Sequence, residues 1–418
     1  MALILKNCRY VVSQNDSRDI LEHVDIVIEK NKISSLSNTK ITSKYQVIDC
    51  SHNIIMPGLI NMHTHLGMTF LRGLAEDMEL MEWLEKKVFP EERKLRDHEV
   101  YNWTYHGATE AIRFGTTCLV DAYFFPFSIA KALEDIGIRA FIGSDIQEIK
   151  TCHANDAEDG LKLSELFIKG YADNNLIIPM AYAHSLYTCS KDTLLKVKKL
   201  SEKYKMPFCM HLAETRYEVD YSVKKYGLFP VSAASKLGLC KSNTIFAHCN
   251  WMTKDEIQLL NGSTIVHNPI SNMKLASGST LPIPELINAK VNVCLGTDSV
   301  ASNNNLDMFE EMKVSGLLQK YHRWDTKALP SQQILDMATR NAGIALKKKI
   351  GVIAKGYLAD IIILEAKEHM MPLDKFRIVN NLVYSAKGSD VIMAIIDGEI
   401  RYDRKLIPKN PIYENKVV

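Results

Sequence analysis

From Pro57 onward the chain alternates short apolar runs with amphipathic helical stretches, and it does so eight times. The runs are GLINMHTH, TTCLVDA, RAFIGSD, LIIPMAYAH, PFCMHLAE, NTIFAHCN, STIVHN and VNVCLGTDS. Segments such as FSIAKALEDIG, KDTLLKVKKLSEKY and TKDEIQLLNG lie between them. Several of the runs are almost continuously apolar, as buried parallel strands must be. Eight strand-then-helix units in about 290 residues match the count of a (β/α)8 TIM barrel. The pattern predicts an α/β fold with a barrel over residues 57–349.

The two ends read differently. Residues 1–56 hold the runs ALILKNCRYVV, VDIVIEKNKISSL and YQVIDCSHNIIM, with Asn31 in a turn and no helical periodicity. Strands return in 350–418 as GYLADIIILE and VIMAIIDGEIRYD. Pairing of the two ends into one small β-sandwich domain is the economical arrangement, because chain termini are often close in space.

Composition narrows the class. Apolar residues make up 46% of 418, enough for a large core, and the formal net charge is only +2. No basic block suggests a nucleic-acid or membrane surface, and no run approaches the length of a membrane span. The opening MALILKNCRYVVSQ has too short an apolar run for a signal peptide. Nine cysteines without a C-x-x-C pattern fit reduced thiols in a cytoplasmic protein.

Six of the thirteen histidines fall at or near the ends of predicted barrel strands: His63, His65, His184, His211, His248 and His267. Active sites of TIM barrels form at that C-terminal rim. His63 and His65 are two apart on one strand, so both rings can point the same way. His211 closes the fifth strand and Asp298 the eighth, which neighbours the first in a closed barrel. Three imidazoles and a carboxylate with one open position suit a catalytic zinc or a similar divalent ion. Glu214, three residues past His211, is free to act as an acid or base beside it. His248 is placed to steady an attacking water or polarise a substrate, and His267 reads equally well as a structural histidine.

The segments PGLINMHTHLGMTFLRGLAED with MEWL, then HLAET, FAHCN, HNPISNMKLASG and LGTDSVASNNNLDMFEEM carry a resemblance across essentially the whole chain. In this order they resemble the amidohydrolase subgroup that holds 5'-methylthioadenosine/S-adenosylhomocysteine deaminases and triazine hydrolases. The resemblance implies a barrel with a β-sandwich from both chain ends, and one divalent metal, zinc or else ferrous iron, on His63, His65, His211 and Asp298. Relatives with two metals carry a lysine on the fourth strand, and LIIPMAYAH has none. The resemblance further implies catalytic roles for Glu214, His248 and Asp298, a ribose-gripping role for Glu92, and substrate contacts from His184, Glu214 and Trp83. Ordinary helix packing accounts for Trp83 equally well.

The implied reaction converts an adenosine derivative (5'-methylthioadenosine, 5'-deoxyadenosine, adenosine or S-adenosylhomocysteine) to its inosine analogue and ammonia. The main alternative is an amino- or chlorohydrolase of triazines or other N-heterocycles. A barrel kept as a binding scaffold would be expected to lose ligands, and a free-base deaminase has no use for Glu92. The loop FIGSDIQEIKTCHAND has no arginine where relatives often carry one, which implies a preference for small or neutral 5' groups. Arg72, Arg139 and Lys150 are the candidate cations that could overturn it. The expected partners are a small-molecule nucleoside and, as an open alternative, a second copy of the chain in a homo-oligomer.

Overall fold

The computed structural model describes residues 2–37, 45–74, 76–78 and 80–406. Its strands in chain order are β1 (Ala2–Val12), β2 (Ile20–Glu29), β3 (Lys32–Leu36), β4 (Tyr45–Asp49), β5 (Asn53–Pro57), β6 (Leu59–Thr64), β7 (Thr116–Tyr123), β8 (Arg139–Ser144), β9 (Ile177–Tyr182), β10 (Phe208–Leu212), β11 (Thr244–His248), β12 (Thr264–His267), β13 (Asn292–Leu295), β14 (Ile361–Glu365), β15 (Val391–Ile396) and β16 (Glu399–Asp403).

Strands β6 to β13 pair in sequence order, each parallel to the next, as the eight apolar runs predict. Their inward side chains, among them Ile60, Met62, Val120, Phe141, Met180, Ile245 and Val266, fill the barrel, and Ala342, Leu346 and Ile350 pack against them. Between β6 and β13 the seam is held partly by side chains. Asn61 donates to Thr297 Oγ1 at 2.7 Å and accepts the Thr297 N–H at 3.0 Å, and the Asp298 N–H donates to the His63 carbonyl at 2.9 Å. Gly296 makes this approach feasible, because a Cβ there would lie 2.8 Å from the His63 nitrogen.

Helices form where the amphipathic segments predict them, for example Pro126–Ile136 and Lys191–Tyr204, the latter N-capped by Ser190. TKDEIQLLNG differs: it yields only a 3-10 helix, Asp255–Leu260.

The remaining strands form a second, mixed sheet in the order β16-β15-β14-β5-β1-β2-β3, with β4 also paired to β1. Strand β5 links the ends, being parallel to β1 and antiparallel to β14. The sheet folds over a core of its own, in which Leu5, Ile26 and Ile28 from the N-terminal part meet Ile361, Ile363 and Ile395 from the C-terminal part. Asp397 and Gly398, both at positive φ, turn β15 into β16, as a tight hairpin requires.

Candidate active site

The C-terminal rim of the barrel gathers the residues that the sequence singles out. His63 lies on β6 and His65 immediately follows it, while Thr64 between them faces the other way. The Thr64 hydroxyl donates to Asp121 Oδ1 at 2.7 Å, and the Leu66 N–H donates to the same oxygen at 2.7 Å. Buried Asp121 on β7 thereby fixes the strand end that presents both imidazoles. His211 on β10 and His248 at the end of β11 enter from the opposite arc.

Donor atoms of His63, His65 and Asp298 lie within 4.8 Å of one another, as do those of His63, His211 and His248. The protonation pattern of the rings tests whether this cluster fits a cation. His65 Nδ1 lies 2.6 Å from the Ala122 carbonyl, and His211 Nδ1 lies 2.9 Å from the His184 carbonyl. A carbonyl only accepts, so each Nδ1 carries the proton and each neutral ring keeps a lone pair at Nε2, that of His211 also lying 3.2 Å from the Tyr182 hydroxyl. Those two Nε2 atoms face each other at 3.2 Å. Buried His63 Nε2 has no hydrogen-bond partner and lies 3.4 Å from Asp298 Oδ1. Facing lone pairs beside a carboxylate repel one another unless a cation lies between them, so the donor set fits a divalent metal.

The electrostatics agree. Burial lowers the His63 pKa to about 4 and takes that of His211 well below its usual value, so both rings are neutral. Burial pushes Asp298 up, but the His63 ring and the surrounding imidazoles outweigh it and hold the carboxyl well below the usual range. Asp298 Oδ2 accepts the Ser271 hydroxyl at 2.6 Å, leaving Oδ1 toward His63 and His65. Asp298 and His248 both adopt positive φ, with values of 65° and 73°. Side chains rarely tolerate that region, and such strain gathers at functional sites.

Glu214, two residues past β10, lines the same cleft, with Oε2 3.9 Å from His248 Nε2. Burial raises its pKa, which favours the protonated acid. The turn that carries it is held by Glu218, a fully buried carboxyl that accepts the Glu214 N–H at 3.0 Å. Asn272 Oδ1 lies 3.0 Å from His248 Nδ1 and orients that ring.

The cleft has an empty volume of about 630 Å³, its open mouth included. Its far wall holds Trp83, Phe89, Glu92 and Tyr123, and His184 and Tyr187 close one side. The Tyr123 hydroxyl donates to Glu92 Oε1 at 2.7 Å. Trp83 both lines the cleft and packs in the main hydrophobic core. His184 lines it too, its Nδ1 2.9 Å from Thr188 Oγ1. His267 is buried at the end of β12 outside the cleft lining, with both ring nitrogens unpartnered.

Sequence reasoning missed Tyr123, Asp121, Ser271, Asn272 and Glu218. Of these only Glu218, at the (i, i+4) spacing from Glu214 on the helix that follows, left a local signal.

Two of the three candidate cations are committed elsewhere. Arg139 opens β8 at the opposite end of the barrel, donating to Asp360 at 2.6 Å and to Asp397 at 2.8 Å. Arg72 pairs with Glu110. Lys150 lines an adjoining cleft with Arg93.

The sequence matches the amidohydrolase family over residues 54–401. The chain belongs to that family. This amidohydrolase is 41% identical over 405 residues to the 5-methylthioadenosine/S-adenosylhomocysteine deaminase of Thermococcus sibiricus, covering 96% of this chain and 94% of that protein. It is 38% identical over 411 residues to the 5'-deoxyadenosine deaminase of Methanococcoides burtonii, covering 97% and 93%. The amidohydrolase also superposes on the crystal structure of an adenosine deaminase from Xanthomonas campestris with bound zinc. The TM-score is 0.93 at 31% identity, covering 98% of this chain and 94% of that one. Among the described residues no helix is long and apolar enough to cross a membrane.

Proposed function

We propose that this amidohydrolase is a hydrolytic deaminase that converts an adenosine derivative to the inosine analogue and ammonia. One observation carries the reading. A buried acid, Glu214, stands beside the imidazole–carboxylate cluster, in a cleft whose far wall presents a second carboxyl, Glu92, with Oε1 held by Tyr123 and Oε2 left for a ligand hydroxyl. The near-40% relatives named as deaminases of adenine nucleosides support the same reading.

His63, His65, His211 and Asp298 would hold one divalent cation, zinc before ferrous iron, given the nitrogen-rich donor set. When bound, that cation supplies Lewis acidity and brings the pKa of a water toward neutrality. Asp298, held anionic, takes the proton of the attacking water. His248 aims the water at ring carbon C6. Protonated Glu214 donates to ring nitrogen N1, cancelling the negative charge that builds as C6 becomes tetrahedral. Asp298 passes the water's proton to the amino group, and Glu214, now a carboxylate, takes the proton of the new hydroxyl. The C6–N bond breaks to release ammonia and leave the C6 carbonyl. General acid–base help of this kind contributes roughly 10²–10⁴ in rate. Glu92 accepts hydrogen bonds from the ribose hydroxyls, and His184 and Trp83 wall the nucleoside.

The division into an N-terminal sandwich piece (1–56), the barrel (57–349) and a C-terminal sandwich piece (350–418) belongs to the same reading; its last residues lie outside those described. All nine cysteines are free thiols, which supports a cytoplasmic location. Ammonia release over adenosine, 5'-deoxyadenosine, 5'-methylthioadenosine, S-adenosylhomocysteine, free bases and aminotriazines tests the function. Turnover confined to triazines or free bases would refute it.

A further inference from the structure

Glu214 owes its place to a sharp turn at the end of β10. That strand pairs with β9 at Phe208 and Cys209, and the His211 N–H still reaches the His184 carbonyl at 3.0 Å. Past Leu212 the chain leaves the sheet through Ala213, whose φ of 52° lies in the left-handed region that side chains avoid. The segment after β11 holds the carbonyl side of this turn. Leu212 accepts the Cys249 N–H at 2.8 Å, Ala213 accepts the Trp251 N–H at 2.9 Å, and Glu214 accepts Asn250 Nδ2 at 3.4 Å.

A single side chain, that of Glu218, serves the N–H side. Its Oε2 accepts the Glu214 N–H at 3.0 Å, and the carboxyl also accepts the Ala213 N–H. Glu218 is the third residue of the helix Arg216–Tyr226, whose N-cap is Thr215. Its backward reach is that of the glutamate in a capping box, carried past the N-cap to the two residues before it. Glu218 is fully buried and lies outside the cleft lining, and its Oε1 has no partner. Burial pushes its pKa up to about 8, so near neutrality it is an uncharged acid. An apolar side chain would cost less here if helix packing were the only need. Both bonds go instead to the peptide groups from which the Glu214 side chain hangs.

We propose that Glu218 is a positioning residue for deamination, fixing where the Glu214 acid stands without meeting the substrate itself. This rests on the reading of Glu214 as the proton donor and adds to it what places that donor.

Three measurements separate this role from a merely structural one. E218M keeps the bulk and removes the acceptor. It should lower kcat about 10–100-fold, as a misplacement of about 1 Å does, with bound metal at the wild-type level and KM within about threefold. E218Q keeps a neutral acceptor at the same reach and should hold kcat within about threefold of wild type. In the E214Q background, E218M should cost less than about threefold more, because both changes act through one group. An E218M as fast as wild type overturns the proposal, as do equal losses from E218M and E218Q, a loss that tracks bound metal, or a full further loss in the E214Q background. If E218M does not fold, E218D, whose acceptor is one methylene short, takes its place with the same expectations. Failure of both to fold makes Glu218 a residue of stability alone and overturns the proposal too. A slow E214Q beside an unimpaired E218M sinks this inference and leaves the reading of Glu214 standing. An E214Q that deaminates normally sinks both.

Discussion

Replacing Glu92 with glutamine isolates what its charge does. Tyr123 already donates to Oε1 at 2.7 Å, so Oε2 is the oxygen open to a ligand. Burial pushes the pKa up to about 7, and the Tyr123 hydrogen bond only partly opposes it. The group is thus a carboxylate above neutrality and an acid below it. Glutamine keeps the acceptor for Tyr123 but presents an N–H where the carboxylate accepted, so one charged-acceptor bond to a ribose hydroxyl is lost. Such a bond is worth about 1.5–3 kcal/mol, or about 10–150-fold in kcat/KM. The sign with pH follows: the wild type loses kcat/KM as pH falls through about 7, because protonation removes the same acceptor. The gap between wild type and E92Q should be widest near pH ~8.5 and shrink to about threefold or less near pH ~5.5. Initial rates of ammonia release with adenosine and with its 2',3'-dideoxy analogue read this directly. The analogue, lacking the diol, should show almost no gap. An equal loss on both substrates, or a loss that does not change with pH, would refute the role given to Glu92.

The remaining predictions concern the cluster and its acid. His63→Ala and His211→Ala should each lose metal and activity together, measured by elemental analysis beside turnover; a variant with stoichiometric metal and substantial turnover contradicts the ligand set. Glu214→Gln should retain the metal and lower kcat by about 10²–10⁴, since glutamine keeps the shape but carries no transferable proton. Near-normal deamination by Glu214→Gln would remove Glu214 from the proton path.

The barrel was legible because burial on both faces leaves a plain mark on a strand. Seven of the eight apolar runs contain the strand that forms there, and the remaining one, TTCLVDA, stops one residue short of the end of β7 at Tyr123. Strand β2 was only half legible. It begins at Ile20, but Ile20–His23 is partly exposed and carries no apolar pattern, so the sequence reading starts at Val24. The imidazoles, Asp298 and Glu214 could be picked out because each follows or ends a recognisable strand. The residues that orient them could not. Tyr123 meets Glu92 from 31 positions away, and Asn272 meets His248 from 24. Those contacts exist only once the strands stand side by side, and nothing in local spacing encodes them. Arg139, by sequence in the helix–strand turn before the third strand, does open β8 at that end of the barrel, but its pairing with Asp360, 221 positions away, exists only in the folded chain.

The central claim is that one divalent metal, held by three imidazoles and a carboxylate, makes this chain a deaminase. Its most direct test is to strip the protein with a chelator, then titrate zinc back while measuring bound metal and ammonia release from adenosine derivatives on the same samples. Activity should vanish with the metal and return in proportion to it, reaching its plateau at one equivalent per chain. Full turnover by metal-free protein, or restored metal without any ammonia release, would contradict it.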